Sequence, residues 1–190
     1  MLIRRECPAD IAAIDAVTAA AFGRRTEADL VAALRASDRW IPALSLVAVV
    51  AAADGAAWRC ADGGLAVGEE IVVGHVVCSR GAIESGSAGA PVPALGLGPL
   101  SVDPARQRTG VGSALMHAVL GAADALDEPL VALLGSTGYY PRFGFRPADA
   151  LGIASPDPAW GAHFQARALG AYDPALRGGF RYAPPFDDVD

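Results

Sequence analysis

The 190-residue sequence contains no lysine and no asparagine; every one of its 15 basic residues is arginine. Without lysine there is no side chain for a Schiff base and no P-loop ammonium to reach a phosphate. Any phosphate site must use backbone N–H groups, arginine or hydroxyls. Cysteine is scarce: Cys7, Cys60 and Cys78 lie far apart and form no C-x-x-C pair. This argues against a disulfide framework or a zinc site, and with His75, His117 and His163 equally scattered no metal is expected. No apolar run approaches the roughly 20 residues of a membrane span. Glu6, Pro8, Asp10 and Asp15 interrupt the stretch that a secretion signal would keep apolar, so a cytoplasmic protein without membrane contact is expected. Acidic residues outnumber basic ones, 21 to 15, and the net charge of -6 argues against nucleic-acid partners.

What is present is a globular composition, 53% hydrophobic and 19% charged, in a chain long enough to bury a full core. Leu2 to Arg5 reads as a strand and Asp10 as the N-cap of an amphipathic helix carrying Ile11, Ile14, Val17, Thr18 and Phe22, ended by Gly23. Thr26-Glu27-Ala28-Asp29 resembles a capping box opening a second helix to about Ala36. Leu44 to Ala52 and Glu70 to Cys78 read as strands, joined by a Gly- and Ala-rich connection. Gly81 to Pro93, small and flexible, reads as a surface loop. Then come an apolar strand from Leu95 to Val102, a Gly-rich turn, a helix carrying Val111, Leu115 and Val119, and a buried strand from Leu130 to Leu134. His163 to Leu169 alternates as a late strand, and Gly178 to Tyr182 is a short extended piece. Trp160, Phe164, Tyr172 and Phe180 are candidates to line a cleft, although scattered aromatics are more often core; Asp187, Asp188 and Asp190 read as a solvated end.

The turn Gln107-Arg108-Thr109-Gly110-Val111-Gly112-Ser113 follows a strand and opens a helix. Glycines let the backbone approach a ligand closely, and a helix start presents unpaired N–H groups at a positive dipole end. That combination makes an anion site needing no lysine, although the glycines alone fit a plain strand-to-helix turn equally well. Two competing motifs fail. Gly96-Leu97-Gly98-Pro99-Leu100-Ser101 lacks the third glycine of a dinucleotide fingerprint, and Gly135-Ser136-Thr137-Gly138 is one residue short of a nucleophile elbow.

Gln107-x-x-Gly110-x-Gly112 resembles motif A of the GCN5-related N-acetyltransferases (GNAT), Q/R-x-x-G-x-G/A. Tyr140-Pro141-Arg142-Phe143-Gly144-Phe145 resembles their later Y-x-x-x-G-F element, and the order of elements between the two also matches. Val73-Gly74-His75, Leu97 to Val102, Tyr139 to Phe145 and the tail Gly178 to Phe186 are similar to a YhbS-like bacterial branch. The resemblance implies an α/β, three-layer GNAT fold spanning residues 1–190. A mixed, mostly antiparallel sheet would be splayed between two parallel strands, 95–102 and 130–134. Residues 53–70 would be an insertion in a hairpin, and 148–190 would complete the sheet and the acceptor side.

By the same resemblance, acetyl-CoA is the donor and a small-molecule or peptide amine the acceptor, attacked directly. Family members are often homodimers. Alternatives are an acetyl-CoA sensor with little turnover, or transfer of a different acyl group. Cofactor contacts are expected from Gln107, Arg108, Thr109, Gly110, Val111, Gly112 and Ser113, from the exposed strand edge at Leu100, Ser101 and Val102, and from Ser136 and Tyr140. Tyr140 aligns with the family's general acid; packing under Gly144-Phe145 is its alternative role. Tyr139 is read as a packing or rim residue, with an off-by-one placement left open. No carboxylate lies in Leu95 to Val102, so His75, with a suitable reference pKa, is the nearest candidate base. The commoner role for such a histidine is a hydrogen-bonded core or edge residue. Alternation puts Cys78 on the opposite face, which disfavours a Cys–His nucleophile.

Overall fold

A computed structural model describes residues 1–51, 58–59, 65–66, 70–84 and 90–188. Strand β1 (Leu2–Arg5) leads through a 3-10 turn into helix α1 (Ile11–Phe22) and helix α2 (Thr26–Ala36). Asp10 is the N-cap of α1, as expected, but its side chain makes no bond to the helix: its carboxylate accepts the Cys7 N–H at 2.7 Å and the Arg4 guanidinium at 2.7 Å. The expected capping box on α2 is likewise not made. Thr26 lies inside the helix, Arg25 is the N-cap and no side chain caps it. Acidic Glu27 and Asp29 in the first turn supply the favourable dipole interaction instead.

Strand β2 (Trp40–Ala51) is followed by a small pair, β3 (Trp58–Arg59) and β4 (Leu65–Ala66), and by the long strand β5 (Glu70–Glu84). Most of the insertion expected at 53–70 lies outside the described residues. Strand β6 (Val92–Val102), helix α3 (Val111–Asp124) and strand β7 (Leu130–Leu134) form the central crossover. Short strands β8 (Arg146–Pro147), β9 (Ile153–Ala154), β10 (Phe164–Ala168) and β11 (Gly178–Arg181) complete the chain among the described residues. The main sheet runs β1-β2-β5-β6-β7-β10-β8, with β11 joining β5 and β9. It is mixed and mostly antiparallel, β6 and β7 being the parallel pair at its centre, as expected. No helix among the described residues is long and apolar enough to cross a membrane.

The expected loop at Gly81–Pro93 is corrected at its two ends, and residues 85–89 lie outside the described residues. Gly81 to Glu84 continue β5, and Val92 already belongs to β6. Small residues here serve close packing. A Cβ on Gly81 would lie 2.8 Å from the Arg181 carbonyl oxygen and 2.9 Å from the Phe180 ring. Glycine therefore lets β11 pair with the end of β5.

Alternation along β2, β5 and β6 sorts side chains to two layers. One face packs α3 over Leu46, Ala48, Val76, Cys78 and Leu95. The other packs α1 and α2 over Val47, Val49 and Val77. Cys78 and His75 thus face opposite layers, as the spacing predicts.

The feature that positions the site is the splay. β6 pairs with β7 only through Leu95↔Val131 and Gly96↔Ala132. Past that point β6 follows β5, and the register slips: Cys78 pairs with Leu97, but Val76 pairs with Leu100. Gly98-Pro99 is the extra length in β6. Gly98 has φ 141, outside the range of other residues, and Pro99 has no N–H to offer a neighbour. The backbone edge at Leu100 to Val102 is consequently turned to the gap instead of to β7.

Candidate active site

Two clefts meet at the splay. The first, of about 720 Å³, runs from α3's start to Tyr140. Its floor is a locally determined turn. The Asp103 carboxylate accepts the Ala105 N–H at 2.9 Å, starting a 3-10 turn at Pro104–Arg106. The Thr109 hydroxyl donates to the Arg106 carbonyl at 2.6 Å, and the Gln107 amide to the Val102 carbonyl at 3.3 Å. Arg108 (φ 61) and Gly110 (φ 95) both adopt left-handed backbone. Alternating handedness turns successive N–H groups toward one point, the concavity that binds anions.

Gly110 is the N-cap of α3, and no side chain caps the helix. The first-turn N–H groups therefore face the cleft without a capping oxygen. Gly112 also has a steric reason to be glycine, since a Cβ there would lie 3.0 Å from the Tyr139 hydroxyl. These residues fit a pyrophosphate: free donors, a helix dipole, Arg108 at the rim and no bulk in the way.

Leu100, Val102, Gln107, Arg108, Gly110, Gly112, Ser113 and Tyr140, expected at the cofactor, all line this cleft. Four others do not. The Ser101 side chain turns into the α1 layer, 3.0 Å from the Thr18 hydroxyl. Thr109 spends its hydroxyl on the turn, and Val111 packs in the core against α3's layer. Ser136 lines the second cleft. Tyr139, read as a rim residue, lines both clefts, with the Arg142 guanidinium 4.8 Å over its ring.

Tyr140 opens the 3-10 segment Tyr140–Phe143, which Gly144 ends at φ 83. Its ring lies where a Gly135 side chain would be: a Cβ there would fall 2.2 Å from the ring. Gly135 is itself pinned, its N–H donating to His163 O at 2.9 Å and its carbonyl accepting the Gln165 amide at 3.1 Å. Tyr139 (5.0 Å) and Phe145 (5.9 Å) hold the Tyr140 ring edge-on. Burial, with Tyr139 adding to it, pushes the Tyr140 phenol up to about 12. It therefore stays protonated at neutral pH, as a proton donor must.

His75 does not reach either cleft. It is wholly buried; its Nε2 lies 2.9 Å from the Ser45 hydroxyl and 3.4 Å from Glu6. Ser45 donates to Glu6 at 2.6 Å, so the serine oxygen accepts from Nε2–H. Burial outweighs the neighbouring carboxylate and lowers the His75 pKa. A neutral imidazole sealed behind the sheet has no path to an acceptor amine. The histidine instead belongs to a core network closed by Arg35, which donates to Glu6 at 2.7 Å. This corrects the candidate base.

The second cleft, of about 690 Å³, shares Phe22, Leu100, Tyr139 and Tyr140 with the first. Of the four aromatics suggested as its lining, only Trp160 reaches it. Phe164 and Phe180 are core, and the Tyr172 hydroxyl donates to Leu151 O at 3.3 Å. Arg24, Glu27, Tyr182 and Phe186 line it and were missed. One signal for Tyr182 was available: it follows Phe180 at strand spacing, and Phe180 is an obvious core residue.

The geometry agrees with what the chain resembles. A family model described as an acetyltransferase (GNAT) domain matches residues 3–148. The chain is 33% identical over 180 residues to the uncharacterized N-acetyltransferase YjhQ of Escherichia coli K12, covering 93% of this chain and 88% of that protein. It superposes on the crystal structure of the GNAT family N-acetyltransferase YhbS from Escherichia coli in complex with CoA. The TM-score is 0.79 at 26% identity, over 100% of this chain and 93% of the other. A GNAT family acetyltransferase from Brucella melitensis in complex with acetyl-CoA gives a TM-score of 0.70 at 32% identity, over 98% and 97% of the two chains. The uncapped helix start, the splayed parallel pair and these relatives converge: the chain belongs to the GNAT family of N-acetyltransferases, acyltransferase enzymes.

Proposed function

We propose that the chain transfers the acetyl group of acetyl-CoA to a primary amine of a small molecule or peptide by direct attack. The observation that carries this is the meeting of the two clefts at Tyr140, with an uncapped N–H turn at one end. Crystal structures of relatives that contain CoA or acetyl-CoA support the choice of donor.

Acetyl-CoA supplies an acetyl group already activated as a thioester. The N–H groups from Gln107 to Ser113 bind its pyrophosphate, and Arg108 adds charge at the rim. The edge at Leu100 to Val102, where the Gln107 amide holds the Val102 carbonyl, offers its other gap-facing backbone groups to an extended amide-bearing arm, as a sheet edge does to an added strand. An N–H in that edge polarises the carbonyl to be attacked. An alkylammonium acceptor, with a pKa near ~10.4, first loses a proton to water. Its nitrogen then forms the bond to the acetyl carbon as the carbon–sulfur bond breaks. Tyr140 donates its proton to the departing sulfur and regains one from solvent, while the new amide releases its extra proton to water. The carboxylate in the second cleft, Glu27, is engaged by Arg24 at 2.6 Å, so bulk water is assigned as the base.

The test pairs calorimetry of acetyl-CoA binding with thiol release across an amine panel. Saturable binding and amine-dependent thiol release are expected. Binding without release from any amine would mark a sensor, and no binding at all would end both accounts.

A further inference from the structure

The second cleft has features that acetyl transfer as such does not require. Its two charged lining residues neutralise each other: Arg24 Nη2 lies 2.6 Å and Nε 3.1 Å from Glu27 Oε1. The wall beyond them is apolar and aromatic, from Leu30 on α2, Trp160 and Phe186. Tyr182 stands among these rings, 4.7 Å from Phe186 and 6.3 Å from Trp160 by centroids.

Tyr182 sits at the base of the splay. A Cβ on Gly96, the last β6 residue paired with β7, would fall 2.7 Å from its ring. Its hydroxyl is buried and has no hydrogen-bond partner among the described residues. Burial, with Tyr140 nearby, raises the phenol's pKa and keeps it neutral. A buried hydroxyl left unpaired is costly, and native structures satisfy such groups with a ligand or water. The Tyr182 side chain that carries it lines the same cleft as the proton donor, Tyr140.

These features select among amines. A polycation keeps further ammonium groups that would need carboxylates to replace their lost hydration, and the cleft's carboxylate is engaged by Arg24; a lysyl side chain brings only a methylene stem and no ring to set against this wall. A body with an aromatic ring gains from burial against Trp160 and Phe186 instead. We propose that the acceptor is an arylalkylamine: a primary amine on an apolar, ring-bearing body, seated against Leu30, Trp160 and Phe186, with its nitrogen hydrogen-bonded to the Tyr182 hydroxyl. The phenol oxygen accepts an N–H and leaves the nitrogen lone pair free for attack. The proposal rests on the acetyl-transfer reading above and narrows it to an acceptor class.

The experiment measures thiol release at saturating acetyl-CoA with 2-phenylethylamine and tryptamine against spermidine and a lysine-containing peptide. The ring-bearing amines are expected to show kcat/KM at least about tenfold higher. Tyr182→Phe should raise the KM for 2-phenylethylamine about tenfold with kcat within about threefold, the split expected of a lost positioning bond. Trp160→Ala should shrink the preference toward parity. Calorimetry should give both variants wild-type affinity for acetyl-CoA. Equal or better turnover of spermidine or the peptide overturns the acceptor class while leaving acetyl transfer standing. An unchanged KM in Tyr182→Phe overturns the role of Tyr182. Failure of the wild type to bind acetyl-CoA removes the acetyl-transfer reading itself, and this inference with it.

Discussion

The two clefts that meet at Tyr140 are built in opposite ways. The first cleft, proposed for the cofactor, takes half of its lining from one continuous stretch between Val102 and Ser113, whose shape is set by short-range bonds and left-handed residues. The second cleft adds to the splayed ends of β6 and β7 side chains brought together from α2, the 3-10 segment Pro158–His163 and the C-terminal segment. A backbone site needs few residue types and tolerates much variation around them. A side-chain site can change its ligand by exchanging a few residues on a fixed frame. Separating them lets one donor be kept while the acceptor changes, and Tyr140 is the element that both must share.

The largest effect that would separate shared machinery from cleft-specific parts is at Tyr140. Tyr140→Phe should lower kcat by about 10²–10⁴-fold while acetyl-CoA affinity stays within about threefold, checked by thiol release and calorimetry. Unchanged turnover would remove the phenol from the chemistry. Next comes Gly135→Ala. The methyl group would occupy the Tyr140 ring position, so the ring must shift by about 1 Å or more, and kcat should fall about 10²-fold in a folded protein. Near-normal turnover would show that the ring position matters less than its chemistry.

A polar group outside both clefts should behave differently. Burial pushes the Glu6 carboxyl up, but hydrogen bonds from His75, Arg35 and Ser45 outweigh it and hold it at about 2, against 4.5 ordinarily. Between those values the unfolded chain binds more protons than the folded one, so stability falls as pH drops from about 4.5 toward 2. The shift corresponds to about 3 kcal/mol, which solvent screening of this partly buried carboxylate lowers to about 2 kcal/mol near neutral pH, and it disappears across this window. Denaturant midpoints at pH 6 and pH 3 should differ less in Glu6→Gln than in the wild type. A large loss of acetyl-CoA affinity in that variant would contradict the division between core and cleft. The smallest effect is expected in the backbone site. Gly110→Val strains a position at φ 95, and acetyl-CoA binding should weaken about tenfold with kcat nearly preserved.

The same contrast explains what was legible in the sequence. That Gln107, Gly110 and Gly112 line one cleft could be read because the turn that holds them is local: residue type and spacing carry its shape. The place of Tyr140 at the clefts was legible for the same reason, through Gly144 and Phe145 a few residues on. The strand order followed from alternation, yet Gly81 was misread as loop. Its smallness serves contact with Phe180, about a hundred residues away in sequence, and no local pattern encodes that contact. His75 was attractive as a base because it sits on a central strand. Its partners Glu6, Ser45 and Arg35 come from elsewhere in the chain, and they seal it. Tyr182 and Glu27 were missed because their meeting across the splay depends on how α2 and the tail pack.

The most direct test is a crystal structure with acetyl-CoA bound. The pyrophosphate should accept hydrogen bonds of about 3 Å from the backbone N–H groups around Gly110 and Gly112. The thioester sulfur should lie within reach of the Tyr140 hydroxyl, at the junction of the two clefts. A cofactor bound away from that turn, or a thioester facing away from Tyr140, would contradict the account.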